Sequence, residues 1–145
     1  MKNITVIILT FHTPEKIILD CLYSIDKNTK VLIVENSETF VHKEKILSKF
    51  NNVDIFCTGK NLGYGGGNNF GINEVKTDYI LILNPDVICA KDFFINISDV
   101  IKKNEDFSII GCQYLQDKVF MPAGFFNKKR MRNLLKILKM ITLVT

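Results

Sequence analysis

The sequence predicts an α/β protein built on a mainly parallel sheet with helices on both faces. Three observations carry this reading. The runs Ile4-Thr5-Val6-Ile7-Ile8-Leu9, Val31-Leu32-Ile33-Val34 and Tyr79-Ile80-Leu81-Ile82-Leu83 are uncharged and apolar, the pattern of strands buried on both faces. Segments with helical spacing lie between them, which indicates βαβ units. Each run also stops on polar residues: Thr10-Phe11-His12, Glu35-Asn36-Ser37 and Asn84-Pro85-Asp86. Open parallel sheets take their ligands at the carboxyl ends of the strands, so these loops are the candidate site.

In chain order, the first strand is followed by Thr13-Pro14-Glu15, which reads as a helix start with Thr13 as N-cap and Pro14 at the first helical position. Ile18, Cys21, Leu22 and Ile25 recur at helical spacing and give that helix its buried face. After the second strand, a helix is expected over about residues 40–50, with Val41, Lys45/Ile46 and Lys49/Phe50 marking an amphipathic pattern. Val53-Asp54-Ile55-Phe56-Cys57 makes a third strand. The segment from Gly59 to Gly71 is the most unusual in composition; its glycines demand tight backbone geometry or close approach, and a short helix begins inside it and runs to about Val75. Pro85 lacks the N–H a ladder needs, so pairing ends there after the 79–84 strand. A helix over 90–103 with Phe93, Phe94, Ile97, Val100 and Ile101 inward, a strand over 107–114 and a short partner at 119–121 complete the expected unit, residues 1–126.

Residues 127–145 form a second region. The first 126 residues carry 13 Lys/Arg and 15 Asp/Glu, net −2, whereas the tail carries six Lys/Arg and no acid, net +6. The basicity belongs to the tail and does not point to nucleic-acid binding by the main body. Met131, Leu134, Leu135, Leu138 and Ile141 fall on one helical stripe and Lys129, Arg132, Lys136 and Lys139 on another, so 128–145 is expected to be a basic amphipathic helix. It suits either an anionic membrane surface or packing against a further part of the protein. No apolar run approaches the ~20 residues of a membrane span, so the expectation is a cytoplasmic protein, soluble or peripheral at the inner face of the membrane. Cys21, Cys57, Cys89 and Cys112 form no CxxC pair and read as buried free thiols. His12 and His42 suggest no zinc site by spacing, and His12 reads as a loop histidine.

Asp86 is held just past a central strand and is the candidate ligand for a divalent cation, Mg²⁺ or Mn²⁺, which takes one or two carboxylates together with phosphate oxygens and water. Asn84 is placed to orient water, Glu35 to accept a hydrogen bond from a nucleobase N–H, and the amides of the glycine segment to face a diphosphate. Each feature has a plainer reading, since Asn-Pro-Asp is a common turn and glycine-rich segments are often only tight connections. Their joint arrangement carries the argument. A dinucleotide-binding fingerprint is excluded, because its glycines belong after the first strand and here they follow the third.

Taken together, Val6-Ile7-Ile8-Leu9-Thr10-Phe11-His12, Leu32-Ile33-Val34-Glu35-Asn36-Ser37, Asn61-Leu62-Gly63-Tyr64-Gly65-Gly66-Gly67-Asn68-Asn69-Phe70-Gly71 and Tyr79 to Asp86 resemble the family 2 glycosyltransferases of the GT-A fold, in particular a rhamnosyltransferase-like branch that builds cell-surface polysaccharides. The likeness covers about residues 3–115, the family's nucleotide-sugar-binding half. It implies an inverting, metal-assisted transfer from a UDP- or dTDP-sugar to a glycan or lipid-linked acceptor. Asn84-Pro85-Asp86 stands where the family has its DxD motif, so the resemblance makes Asp86 the metal ligand. Thr10 and Phe11 would line the nucleotide, Glu35 takes the place of an aspartate that contacts the base, and Asn36, Asn61, Gly63, Asn69 and Asn84 would complete the donor pocket. His12 replaces the family's usual asparagine. The acceptor-binding half and its catalytic base have no counterpart, so no base is assigned among Asp92, Asp99, Glu105, Asp106 and Asp117. The chain is expected to be the front half of such an enzyme, and the alternative is a catalytically silent nucleotide-binding or interaction module.

Overall fold

The computed structural model describes residues 4–103, 107–112, 114–116, 119–121, 124–127 and 139–143. Strand β1 (Ile4–Thr10) is central, flanked by β2 (Lys30–Glu35) and β4 (Tyr79–Leu83), both parallel to it. Outside β2 lies β3 (Val53–Cys57), also parallel. The sheet continues past β4 through β9 (Lys139–Leu143) and β5 (Phe107–Gly111), and only β8 (Gly124–Asn127) runs antiparallel to its neighbour, giving the order β3-β2-β1-β4-β9-β5-β8. Strands β6 (Tyr114–Gln116) and β7 (Val119–Met121) pair as a separate antiparallel ribbon.

Alternate residues of the parallel strands point to opposite faces, and each face has its own core. Val6 and Ile8 of β1, Val31 and Ile33 of β2, and Leu81 and Leu83 of β4 pack with Ile18, Cys21 and Leu22 of α1 (Glu15–Ser24), Ile46 of α2 (Lys43–Leu47), and Phe94, Ile97 and Ile101 of α4 (Phe93–Lys103). Ile7, Leu32, Val34, Ile80 and Ile82 face the other way, where Phe70 and Ile72 of α3 (Gly63–Glu74) cover them. The α3 backbone sits close to the sheet because Gly67 and Gly71, one helical turn apart, present no side chain there. A Cβ on Gly71 would stand 2.9 Å from Val34 Cγ2 and 3.1 Å from Ile7 Cγ2. The close approach that the glycines demand is therefore, at these two positions, an approach to the sheet.

The structure corrects four expectations. Pro14, not Thr13, caps α1, accepting from the amides of Ile17 and Ile18, while the Thr13 hydroxyl accepts from the Phe11 amide. Helix α2 is five residues long, with turns at 41–42 and 48–49 where helix is expected, and Val41, in the first of these turns, is 84% exposed. The fifth strand stops at Gly111, and β8, absent from the sequence reading, pairs with it. Finally, the tail is not helical throughout: Lys139–Leu143 is β9, lying between β4 and β5. An apolar Met140-Ile141-Thr142-Leu143 run next to the open edge of β4 satisfies that strand's backbone groups, a long-range gain that helical spacing does not reveal. Residues 128–138, which carry most of the two expected stripes, lie outside the described residues. Among the described residues no helix is long and apolar enough to cross a membrane.

Candidate functional site

The carboxyl ends of β2, β1 and β4 stand side by side in that order, so the loops 35–37, 10–13 and 84–86 share one edge. The β1 and β2 loops are tied together by backbone, the Asn36 amide donating to the Thr10 carbonyl at 2.8 Å. Beneath them lies Glu35, only 1% exposed. Its carboxylate accepts from Thr10 Oγ1 (2.6 Å), Ser37 Oγ (2.7 Å) and the His12 amide (3.2 Å). A buried carboxylate is tolerable only with such donors around it.

Asn36 stitches this edge to the glycine segment. Its Nδ2 donates to Asn61 Oδ1 (3.1 Å) and to the Gly63 carbonyl (3.2 Å), and its Oδ1 accepts from the Leu62 amide (2.9 Å). Asn61 Oδ1 in turn accepts from the Gly63 amide at 2.8 Å. Gly63 has φ +71°, a left-handed turn that glycine adopts without steric cost, and α3 starts there. From its first turn the Tyr64 hydroxyl crosses to Asn84 Oδ1 at 3.1 Å, joining the glycine segment to the Asn-Pro-Asp loop. On the other side, the Cys21 thiol donates to the Asn84 carbonyl at 3.8 Å.

These contacts enclose a cleft of about 490 Å³ lined by Leu9, Thr10, Phe11, Thr13, Ile17, Asn36, Asn61, Gly63, Tyr64, Asn84, Pro85 and Asp86, a size suited to a small-molecule ligand. Phe11 and Tyr64 are exposed aromatic rings, Asn84 is half-buried, and Asp86 offers an exposed carboxylate at the rim. Among the described residues no group of three or more His, Cys, Asp or Glu side chains is arranged to hold a metal by itself.

Seven of the nine expected site residues therefore meet in one cleft: Thr10, Phe11, Asn36, Asn61, Gly63, Asn84 and Asp86. Two do not. Glu35 lies under the cleft, outside its lining, with its carboxylate accepting from Thr10, His12 and Ser37. Asn69 is exposed on α3 outside the lining; its neighbour Asn68 is the buried one, donating from Nδ2 to the Tyr64 carbonyl at 2.9 Å. Five lining residues, Leu9, Thr13, Ile17, Tyr64 and Pro85, fall outside the expected set, and Tyr64 and Ile17 are the two of them that lie on helices. Both had a signal: Tyr64 is an aromatic set among glycines, and Ile17 is an isoleucine off the buried stripe of α1.

An α/β domain whose parallel strands end on a lined cleft with an acid at its rim belongs to the class that binds ligands at the carboxyl edge of the sheet. Over residues 5–139 the chain matches the model described as Glycosyl transferase family 2, and it belongs to that family. It is 28% identical over 123 residues to the Escherichia coli UDP-Gal:alpha-D-GlcNAc-diphosphoundecaprenol beta-1,3-galactosyltransferase, a match covering 79% of this chain and 44% of that protein. Among solved structures it resembles S. aureus TarS 1-349, with a TM-score of 0.68 and 20% identity over 84% of this chain and 38% of that one. The complex of the same protein with UDP-GlcNAc gives a TM-score of 0.68, covering 37% of that chain. At such identity the likeness establishes the GT-A fold. The chain spans less than half the length of these relatives.

Proposed function

We propose that this chain binds the nucleotide-diphosphate sugar of a glycosyltransferase, a UDP- or dTDP-sugar, in the cleft between the glycine segment and Asn84-Pro85-Asp86. The observation that carries this is the convergence of Thr10, Phe11, Asn36, Asn61, Gly63 and Asp86 on a single 490 Å³ cleft in a family 2 glycosyltransferase chain. The two TarS complexes, with UDP-GlcNAc and with UDP, supply the ligand chemistry. Phe11 and Tyr64 offer aromatic faces to a base or sugar ring, and the Asn36–Asn61–Gly63 bonds fix the shape of one wall before a ligand arrives.

The residues fit a divalent cation held jointly with the donor. One exposed carboxylate, Asp86, lies at the rim, and Mg²⁺ or Mn²⁺ is commonly held by one or two carboxylates plus substrate phosphates rather than by a protein cage. When bound there, such a cation would neutralise charge developing on the leaving diphosphate. Tyr64, through its bond to Asn84, holds the turn that presents Asp86.

In the proposed reaction an acceptor hydroxyl oxygen bonds to the anomeric carbon as the bond from that carbon to the diphosphate oxygen breaks. The nucleoside diphosphate leaves and the hydroxyl proton passes to a base, with inversion at the carbon. The curated relative's name specifies a diphosphoundecaprenol-linked acceptor, and a lipid-linked or polysaccharide acceptor is proposed here on that ground, with a peripheral position at the inner membrane face to suit it. Asp86 is the one carboxylate among the cleft-lining residues. That favours, for this chain alone, a second reading in which it binds the donor without completing transfer.

Calorimetric titration with UDP, with and without Mn²⁺, tests the reading. Binding should tighten with metal, and Asp86→Ala should abolish that gain. Affinity indifferent to both would sink the site. Release of UDP from a UDP-sugar on adding acceptor separates the active enzyme from the silent binder.

A further inference from the structure

Glu35 is the most deeply buried acid of the edge, and its surroundings are unusual for a residue expected to read a base. None of the ion pairs among the described residues includes it; its three partners are two hydroxyls and one backbone amide. The amide belongs to His12, which has φ +50° and is, among the described residues, the one non-glycine residue with positive φ. That conformation crowds the Cβ against the backbone and persists only where neighbours over-determine it. Here the over-determination is visible. Glu35 Oε1 holds the His12 amide, Oε2 holds the hydroxyl of Thr10 two residues before, and the His12 ring lies against Phe11 with centroids 4.4 Å apart. Phe11, between the two anchored residues, is 51% exposed and lines the cleft.

We infer that Glu35 is a positioning residue: its carboxylate clamps His12 in the left-handed conformation and so aims Phe11 into the donor cleft, while it makes no contact with the nucleobase. This rests on the donor-binding reading above. Ser37 completes the clamp, since its hydroxyl donates to Glu35 Oε1 and its carbonyl receives the Gly59 amide at 3.1 Å, coupling the clamp to the start of the glycine segment. The side chain at position 35 must therefore accept hydrogen bonds rather than carry charge. Glutamine can do so, turning its carbonyl oxygen toward His12 and Ser37 and its amide toward Thr10; methionine, of similar length, offers only a weakly accepting sulfur. Position 12 should need the clamp only as long as it bears a side chain, because glycine adopts positive φ without it.

The test combines amide hydrogen exchange at His12 in the free protein with titrations of UDP and CDP. In the wild type the His12 amide should be protected. Glu35→Met should accelerate its exchange at least roughly tenfold and weaken UDP and CDP by a similar factor, about tenfold each, for the loss of one such hydrogen bond and the ordering that depends on it. Glu35→Gln should stay close to wild type in both readouts. His12→Gly placed on Glu35→Met should recover most of the lost affinity, so that the pair is strongly non-additive. A base-reading Glu35 gives the opposite pattern: the UDP/CDP ratio changes in Glu35→Met, His12 exchange is unmoved, and His12→Gly rescues nothing. Any of these overturns the inference, as does an unprotected His12 amide in the wild type, which needs no variant to fold. Failure of the wild type to bind UDP at all would instead refute the donor-binding reading, leaving the exchange data to judge the clamp.

Discussion

The two walls of the cleft are made differently. On the β2 side, Glu35 and Asn36 are 1% and 3% exposed, and Asn36 alone bonds to Asn61, Leu62 and Gly63, so the wall is a closed network of internal hydrogen bonds. On the β4 side, Asn84 and Pro85 are half-buried and Asp86 is exposed, with Tyr64 and Cys21 reaching Asn84 from neighbouring helices. The difference matches the chemistry proposed for each. A wall that fits an uncharged base and ribose can be rigid and dry, because its shape does the recognising. A carboxylate that meets a hydrated cation and a diphosphate has to stay in water, where its charge costs little until the ligand arrives. Substitutions on the first wall should therefore act on stability and binding together, and those on the second on metal-dependent binding alone.

Breaking the first wall gives the largest expected effect. Asn36→Ala removes the acceptor for the Leu62 amide and the donor to Asn61 and Gly63, and should destabilise by about 2–3 kcal/mol with loss of measurable UDP binding. Urea unfolding with a parallel UDP titration checks this; full stability with weakened binding would mean that the network is not what holds the wall. Next comes the helix behind it. Gly71→Ala pushes a methyl onto Val34 and Ile7, two stiff β-branched side chains of the sheet, and should cost about 1–3 kcal/mol despite the better helix propensity of alanine. Gly65→Ala, where nothing lies within 4 Å, should instead stabilise by roughly 0.5–1 kcal/mol. Equal responses at the two positions would remove the close approach of α3 as the reason for the glycines.

The second wall should answer differently. Tyr64→Phe deletes the hydroxyl that bonds Asn84 while leaving the ring in the cleft. Since this contact is exposed, stability should change by less than about 0.5 kcal/mol, while the gain in UDP affinity on adding Mn²⁺ should fall about three- to fivefold, a loss near 1 kcal/mol. Equal weakening with and without metal would show that Tyr64 serves the nucleotide and not the turn that presents Asp86.

These contrasts also explain what could be read from the chain. The three loops were legible because each uncharged strand stops on polar residues, and parallel pairing brings such stops to one edge. Glu35 was legible as an acid after a strand, but its direction was not. That depends on hydroxyls at positions 10 and 37, and a carboxylate facing two such donors turns inward. Asn68 and Asn69 are adjacent and identical, so only the phase of α3 decides which is buried, and Gly67 and Gly71 set that phase by tertiary contact. Strand β9 was misread for a related reason: Lys139–Leu143 fits both a helical stripe and a strand, and the vacant side of β4, about 60 residues earlier in the chain, selects the strand. The site was thus legible to the extent that it depends on strand ends, and hidden wherever a long-range partner chooses between two local options.

The smallest expected effect lies under the second wall and concerns pH. Cys21, whose thiol donates to the Asn84 carbonyl, is pushed up to about 12, first by burial and then by the neighbouring Cys89 and Asp86. Burial likewise raises Cys89 to about 11, against a hydrogen bond with Ser24 that acts in the other direction. In the unfolded chain these thiols ionise near 9.0. Between that value and about 11 to 12, the folded protein keeps protons that the unfolded one has released, so stability falls as pH rises through this window and is fully present below it. Thermal unfolding should therefore be insensitive to these groups from pH 7 to 8.5 and decline from pH 9 to 10, with a shallower decline in Cys21→Ala. Tyrosine and lysine ionisation contributes equally to both proteins, so the difference in slope isolates the thiol. Parallel slopes would mean that Cys21 is reached by water, and that the floor beneath Asn84-Pro85-Asp86 is as open as its rim.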